Sequence, residues 1–302
     1  MRAMDPAREN VRARTWRRFL KHRLAFGSLW ILVLLVLLSI SAPSIEKWLV
    51  IDAFTADLHK RLQGPSLTHP LGTDEIGRDY LARLLYGGRI SLLVGLIGAL
   101  LSAVIGTVTG ILAGFFGGRL DALLMRATDS VIALPLLPLL IVLAAVDLQK
   151  LGFSDELANS EDASFYRIVV IVSFVGWTTV ARLVRAETLS IKRQDYVRAA
   201  VALGARSERI LLTHILPNVV SPIVVATTLS VGNIILFESV LSFLGLGIQP
   251  PVASWGNMLS NAQDLIWTAP ELAIAPGIFI FITVIAFNFL GDGLQDALDP
   301  RA

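Results

Sequence analysis

Apolar runs long enough to cross about 30 Å of hydrocarbon recur along the 302 residues, separated by short polar segments. They lie near 24–41, 90–116, 122–146, 167–185, 219–241 and 272–291. The pattern predicts an all-α membrane protein with six transmembrane helices. The first run has a second reading as a signal peptide, because Arg17, Arg18 and Lys21 precede a Leu-rich stretch ending in Ser39, Ser41 and Ala42. Its length, from Leu24 to Ile40, and the long basic segment before it favour a span. Within that segment, Trp16, Phe19 and Leu20 among Arg14, Arg17, Arg18 and Lys21 predict an amphipathic surface helix.

Inside the second run, Gly98, Ser102, Gly106, Gly110 and Gly114 recur every four residues. Such a ridge lets another helix come close, either as plain tight packing or as a sliding surface. Pro135 and Pro138 in the third run, Pro222 in the fifth and Pro276 in the sixth predict kinks or local breaks. Polar groups in a bilayer need a partner or water, so Glu238, with Asn233 one turn earlier and Ser239 beside it, is a candidate for a hydrated translocation path. Trp177 and Asn288 are further candidates. Glu238 has an equal alternative as a structural carboxyl bonded to a neighbouring helix.

Composition agrees with the pattern: 54% of residues are hydrophobic, 17% are charged and the mean hydropathy is +0.67. There is no cysteine, hence no disulfide or thiolate metal site. With both termini inside, the cytoplasmic segments hold 18 of the 26 Lys and Arg: 8 before residue 24, 2 at 116–126, 7 at 182–218, and Arg301. That is the positive-inside bias, and it predicts cytoplasmic N and C termini. The net charge of +2 therefore reports membrane topology and gives no sign of a nucleic-acid partner. The chain divides into a cytoplasmic amphipathic segment (1–23), a first helix with its external loop (24–89), a five-helix core (90–291) carrying a cytoplasmic loop at 186–218, and a cytoplasmic tail (292–302).

Catalytic and metal-binding patterns are missing. His22, His59, His69 and His214 all fall outside the spans, and neither HExxH nor GxSxG occurs. There is no GxxxxGK[ST] loop to hold a nucleotide phosphate. The chain is expected to be no enzyme and to bind no cofactor, so any use of ATP needs another subunit.

RAAVALGARSERILLTHILPN, residues 198–218, interrupts the apolar runs with Arg198, Arg206, Glu208, Arg209 and His214. Residues 187–203 favour helix; Gly204 permits a sharp turn; Ser207 can cap a second short helix ending before Pro217. A helix, Gly turn, helix unit between two spans presents a small apolar knob ringed by arginines. It suits a peripheral protein with a matching groove, or a basic loop resting on anionic lipid.

This stretch resembles the EAA loop of ABC-importer permeases: Arg198-Ala199-Ala200, Gly204, then Ile215-Leu216-Pro217. The segments HPLGTDEIGRD (69–79), AGFFGGRLDALLMR (113–126), GW (176–177) with ARLVR (181–185), SFLGLGIQPPVASWGNML (242–259) and FNFLGDGLQDALDPR (287–301) are similar, in the same order, to the second permease subunit of the dipeptide, oligopeptide and nickel importers. The match covers roughly residues 15–301.

The resemblance implies a type I ABC-importer permease fold in a bacterial inner membrane. It implies a second, homologous permease subunit, two ABC ATPase subunits that use ATP and Mg, and an extracytoplasmic substrate-binding protein. It makes the loop a coupling helix, with Arg198, Ala199, Ala200, Leu203, Gly204, Ala205, Arg206, Glu208, Arg209 and Pro217 as its ATPase-contacting residues. The family's Glu at the head of the motif is Arg198 here, so a needed carboxylate would come from Glu187 or Glu208. Di- or oligopeptides are the expected substrate, with nickel chelate, glutathione or another small solute as alternatives and a non-transporting scaffold as a remote one. Of the external segments, 69–79 reads as a turn-rich loop that either braces the bundle or receives the binding protein. The segment 242–270 reads as a short non-spanning helix with Trp255 and Trp267 as interfacial anchors.

Overall fold

A computed structural model describes residues 11–146, 149, 154 and 162–298, with side chains from Thr15 onward. The first ten residues, and 299–302 of the expected tail, lie outside the described residues. The described residues form twelve helices: α1 (Val11–Lys21), α2 (Arg23–Ile40), α3 (Ala42–Leu49), α4 (Tyr80–Phe116), α5 (Gly118–Ala133), α6 (Leu136–Ala144), α7 (Ala163–Ile191), α8 (Asp195–Ala202), α9 (Ser207–Ile210), α10 (Leu216–Phe243), α11 (Ala262–Leu265) and α12 (Glu271–Leu298). Their only β pairing is one antiparallel bridge between Thr73 and Asp79.

Five of the six predicted spans are single helices: α2, α4, α7, α10 with the turns before it, and α12. The third is not one rod. Pro135 separates α5 from α6, and their axes meet at 90°. Proline cannot donate its backbone N–H and forces the preceding residue out of the helical region, so Leu134 is extended at ψ 138°. The sixth span exists only if this bent pair is counted as one.

The small-residue ridge explains the central contact. α4 lies along α7, and a Cβ on Gly106 would stand 2.6 Å from the Trp177 carbonyl oxygen, one on Gly110 2.6 Å from that of Ala181. No larger side chain fits between the two backbones, which is the close approach the four-residue repeat predicts. α10 packs against α4, α7 and α12, and α2 against α12. The main core gathers Leu84, Val94, Leu140, Ile168, Val172, Ile234, Ile235, Leu241, Ile248 and Trp255.

α1 is the predicted amphipathic helix: Phe19 is buried with Ala25 and Ala297, while Trp16 is exposed and stacks on Phe19 at 5.9 Å. α2 is thereby held to α12, as suits a permanent span. At the far end, the 69–79 loop takes the bracing geometry. Asp79 caps α4 by accepting from the Ala82 N–H at 2.8 Å and pairs with His69 Nδ1 at 2.9 Å, its side chain fully buried. Asp74 pairs with Arg78 at 2.7 Å and Arg83 at 3.4 Å.

Candidate functional site

The loop between α7 and α10 departs from its sequence expectation at both ends. Helix does not run unbroken from 187 to 203: it stops at Ile191 and restarts at Asp195. Nor does the second helix stop before Pro217, and Ser207 is not its cap, since Arg206 holds that position without a side-chain bond. α9 instead passes through a π-helical turn, Leu211–Ile215, directly into α10, with Pro217 in the first turn of α10. A π turn leaves one carbonyl per turn without its usual partner, so a proline missing its N–H is tolerated just after it. The His214 carbonyl accepts from Asn218 Nδ2 at 2.7 Å.

Between these ends the predicted Gly turn is present. Gly204 sits at φ 78°, and its N–H donates to the Val201 carbonyl at 2.9 Å while the Ala205 N–H reaches back to Ala200 at 3.0 Å. These two bonds are the Schellman closure of α8, which needs a left-handed residue and so favours Gly. Val197, Ile210 and Ile215 are buried with Val180, Val184, Ile191 and Val219, which roots the loop in the ends of α7 and α10. Lys192 adds a tie to α4 by donating to the Phe115 carbonyl, and the rings of Tyr196 and His214 meet at 6.0 Å.

What the loop leaves outward is a short apolar tip with charge around it. Leu203 is 88% exposed and Val201 58%, while Arg198, Ala199, Gly204, Arg206, Glu208, Arg209 and Pro217 are exposed as well. Ala200 and Ala205 are half-buried at the base. Arg198, Arg206, Glu208 and Arg209 enter no ion pair among the described residues. Glu208 thus supplies an exposed carboxylate on the loop itself, whereas Glu187 is half-buried on α7.

Of the four path candidates, only Glu238 is buried. Glu238 is completely buried and accepts from Ser91 at 3.0 Å and Ser242 at 2.7 Å. Those hydroxyls in turn receive the backbone N–H groups of Trp255 at 3.1 Å and Ile248 at 3.0 Å. Through these bonds the carboxyl ties α10 to α4 and to the 244–256 segment. Asn233 and Asn288 are exposed on α10 and α12, and Trp177 is half-buried on α7. Trp255 is no interfacial anchor: it is 1% exposed, and its indole N–H donates to the Leu84 carbonyl at 3.0 Å. Trp267, 90% exposed, does stand at the surface.

Two ion pairs went unread in the sequence. Arg185 forks onto Asp121 at 2.5 and 2.6 Å, and Arg182 meets Asp129 at 2.5 Å. Two acids two helical turns apart, Asp121 and Asp129, matched by an Arg-x-x-Arg at 182–185 on the next span, were the available signal. A cavity of about 320 Å³ at the far end is lined by Asp74, Arg78, Arg83, Gln249, Asn257 and Asn261. Its charges are satisfied among themselves, and Asn261 closes one side on Glu75 at 2.5 Å. No cluster of His, Asp and Glu fit to hold a metal occurs among the described residues.

Comparison with known proteins decides the family. Residues 106–302 match the binding-protein-dependent transport system inner membrane component, and residues 12–65 the N-terminal transmembrane domain of oligopeptide transport permease C. The chain belongs to the binding-protein-dependent ABC-importer permeases. Among its relatives, the oligopeptide permease OppC of Escherichia coli strain K12 is 42% identical over 94% of this chain and 89% of its own length. The dipeptide permease DppC of Bacillus subtilis is 40% identical over 95% and 84%, and the glutathione permease GsiD of an E. coli O6 strain 40% over 95% and 89%. An inward-facing MetNI methionine ABC transporter shares the fold at TM-score 0.57 and 17% identity, over 72% of this chain and 96% of that one. This permease is accordingly a multi-pass inner-membrane protein of the type I importer fold.

Proposed function

We propose that this permease forms half of the translocation path of an ATP-driven peptide importer and takes its drive through the 198–217 loop. A second permease subunit completes the path, two ATPase subunits hydrolyse ATP with Mg, and an extracytoplasmic binding protein delivers the peptide. Transporters with named peptide cargo, including oligopeptide, dipeptide and glutathione permeases, are the relatives that support the substrate class. The positive-inside charge bias supports a cytoplasmic position for the loop and both termini.

The observation that carries the reading is the loop's mixed construction. Its base is fixed by Val197, Ile210 and Ile215 in a buried cluster, yet its tip spends an exposed Leu203 and Val201 on no contact of its own. A soluble partner with an apolar groove fits that tip, and the surrounding Arg198, Arg206 and Arg209 set its register by charge. Movement of the partner then displaces α7 and α10 together.

The test is the ATPase rate of the complete importer in lipid, with and without its binding protein, across a panel of di-, tri- and longer peptides and glutathione. Wild type should be stimulated by peptide. Leu203→Glu and Gly204→Pro complexes should assemble and lose stimulation. Stimulation that survives both changes would remove the loop from the coupling route, and stimulation by no peptide would remove the substrate class.

A further inference from the structure

A second cavity of about 320 Å³ lies at the far end, where the apolar runs of α4 and α7 begin. Arg89 and Asp162 both line it, between the rings of Phe54, Tyr86, Phe165 and Tyr166. The Arg89 guanidinium and the Asp162 carboxyl share this space without pairing, and neither has a hydrogen-bond or ion-pair partner among the described residues. Asp162 even stands at the start of α7 without using its side chain as a cap. Of the other polar groups lining it, Tyr86 is engaged, donating its hydroxyl to Glu46 at 2.7 Å.

From Arg89 an exposed apolar row descends one face of α4: Leu93, Leu96, Leu100, Val104 and Val108, between 37% and 61% exposed. Spacings of three and four residues keep these side chains on one stripe. Charge, then aromatic, then aliphatic surface is the order met on entering a bilayer from water.

The geometry points to a bound aminophospholipid, its phosphate on Arg89, its ammonium on Asp162 and the surrounding ring faces, and an acyl chain along the α4 row. A guanidinium suits a phosphate through paired charge-assisted bonds, and aromatic faces attract an ammonium. An ordinary aromatic belt explains the rings alone; Arg89 and Asp162, both exposed, add a cation and an anion to the same opening. The inference needs only the membrane-spanning fold and is independent of which solute is carried.

The experiment is native mass spectrometry of the intact importer released from detergent, loaded with phosphatidylethanolamine or with phosphatidylglycerol of the same acyl chains. Wild type should retain one more phosphatidylethanolamine than an Arg89→Gln, Asp162→Asn complex of equal thermal midpoint, with affinity at that site lowered about a hundredfold, as for two lost charge-assisted contacts of about tenfold each. Arg89→Lys, which keeps the charge but loses the paired bonds, should keep part of the retention, which separates charge from damage to the fold. Phosphatidylglycerol, which offers Arg89 a phosphate but Asp162 no ammonium, should lose clearly less retention in the double variant than phosphatidylethanolamine does. Equal phosphatidylethanolamine retention overturns the proposal. So does equal sensitivity of both lipids to the double variant, or displacement of the retained lipid by millimolar glycylglycine, which would assign the cavity to a peptide.

Discussion

Arg185 donates to both carboxylate oxygens of Asp121, and this fork fastens α5 to α7 beside a 90° break in the chain. Because most α5 side chains are exposed, the fork and the Arg182–Asp129 pair are its main tethers. Arg185→Ala is expected to destabilise the purified complex by about 1–2 kcal/mol, reduced from a buried pair because the side chain is 33% exposed. The thermal midpoint in detergent measures it, and the exchanged pair Arg185→Asp with Asp121→Arg should recover part of the loss. A wild-type midpoint for Arg185→Ala would mean that α5 is held by something else.

Gly110 admits no side chain. Gly110→Leu is expected to push α4 off α7 and abolish assembly, read as loss of the monodisperse complex by size-exclusion chromatography. Gly27→Ala, where nothing lies within 4 Å of the added carbon, is the control and should be neutral or stabilising by up to about 1 kcal/mol. If Gly110→Leu assembled normally, the two backbones would not be in contact in the membrane.

Glu238 separates bracing from transport. Glu238→Ala strands the Ser91 and Ser242 hydroxyls and should cost about 1–3 kcal/mol of stability. Peptide uptake per assembled complex, in proteoliposomes, should stay within about twofold of wild type, a change below 0.5 kcal/mol. Uptake abolished at unchanged stability would make the carboxyl a path residue instead.

Trp255→Phe deletes the indole N–H and leaves the Leu84 carbonyl to the helix alone, for an expected loss of about 1 kcal/mol. Trp255→Ala also opens a core cavity and should cost about 3–5 kcal/mol. Near-equal midpoints for wild type and Trp255→Ala would place this ring at the surface after all.

The spans, the Gly110 ridge and the Gly204 turn were legible because each depends on residues near one another in sequence: an apolar run, a four-residue repeat, a residue free to take positive φ. The environment of Glu238 was not, since its hydroxyl partner Ser91 is 147 positions away and looks like any small helix residue. Trp255 misled for a related reason. A Trp in a polar, proline-containing segment reads as interfacial, and only the fold of residues 244–256 back onto α4 buries it. At Pro217 the sequence signalled a stop, but a π turn let the helix go on; nothing local distinguishes the two outcomes.

α10 runs 28 residues, about 42 Å at the α-helical rise, and carries Glu238 about 33 Å from the rooted base of the 198–217 loop. It is thus a strut with both feet bonded: one foot in the cluster of Ile215 and Val219, the other in the hydroxyls of Ser91 and Ser242. Pro222, close to the first foot, is the place where such a strut yields. With the coupling role proposed for the loop, a push along the strut axis would load α10 lengthwise, whereas a sideways push would be taken up by bending at Pro222. Such a strut answers to the direction of a push, and not only to its size.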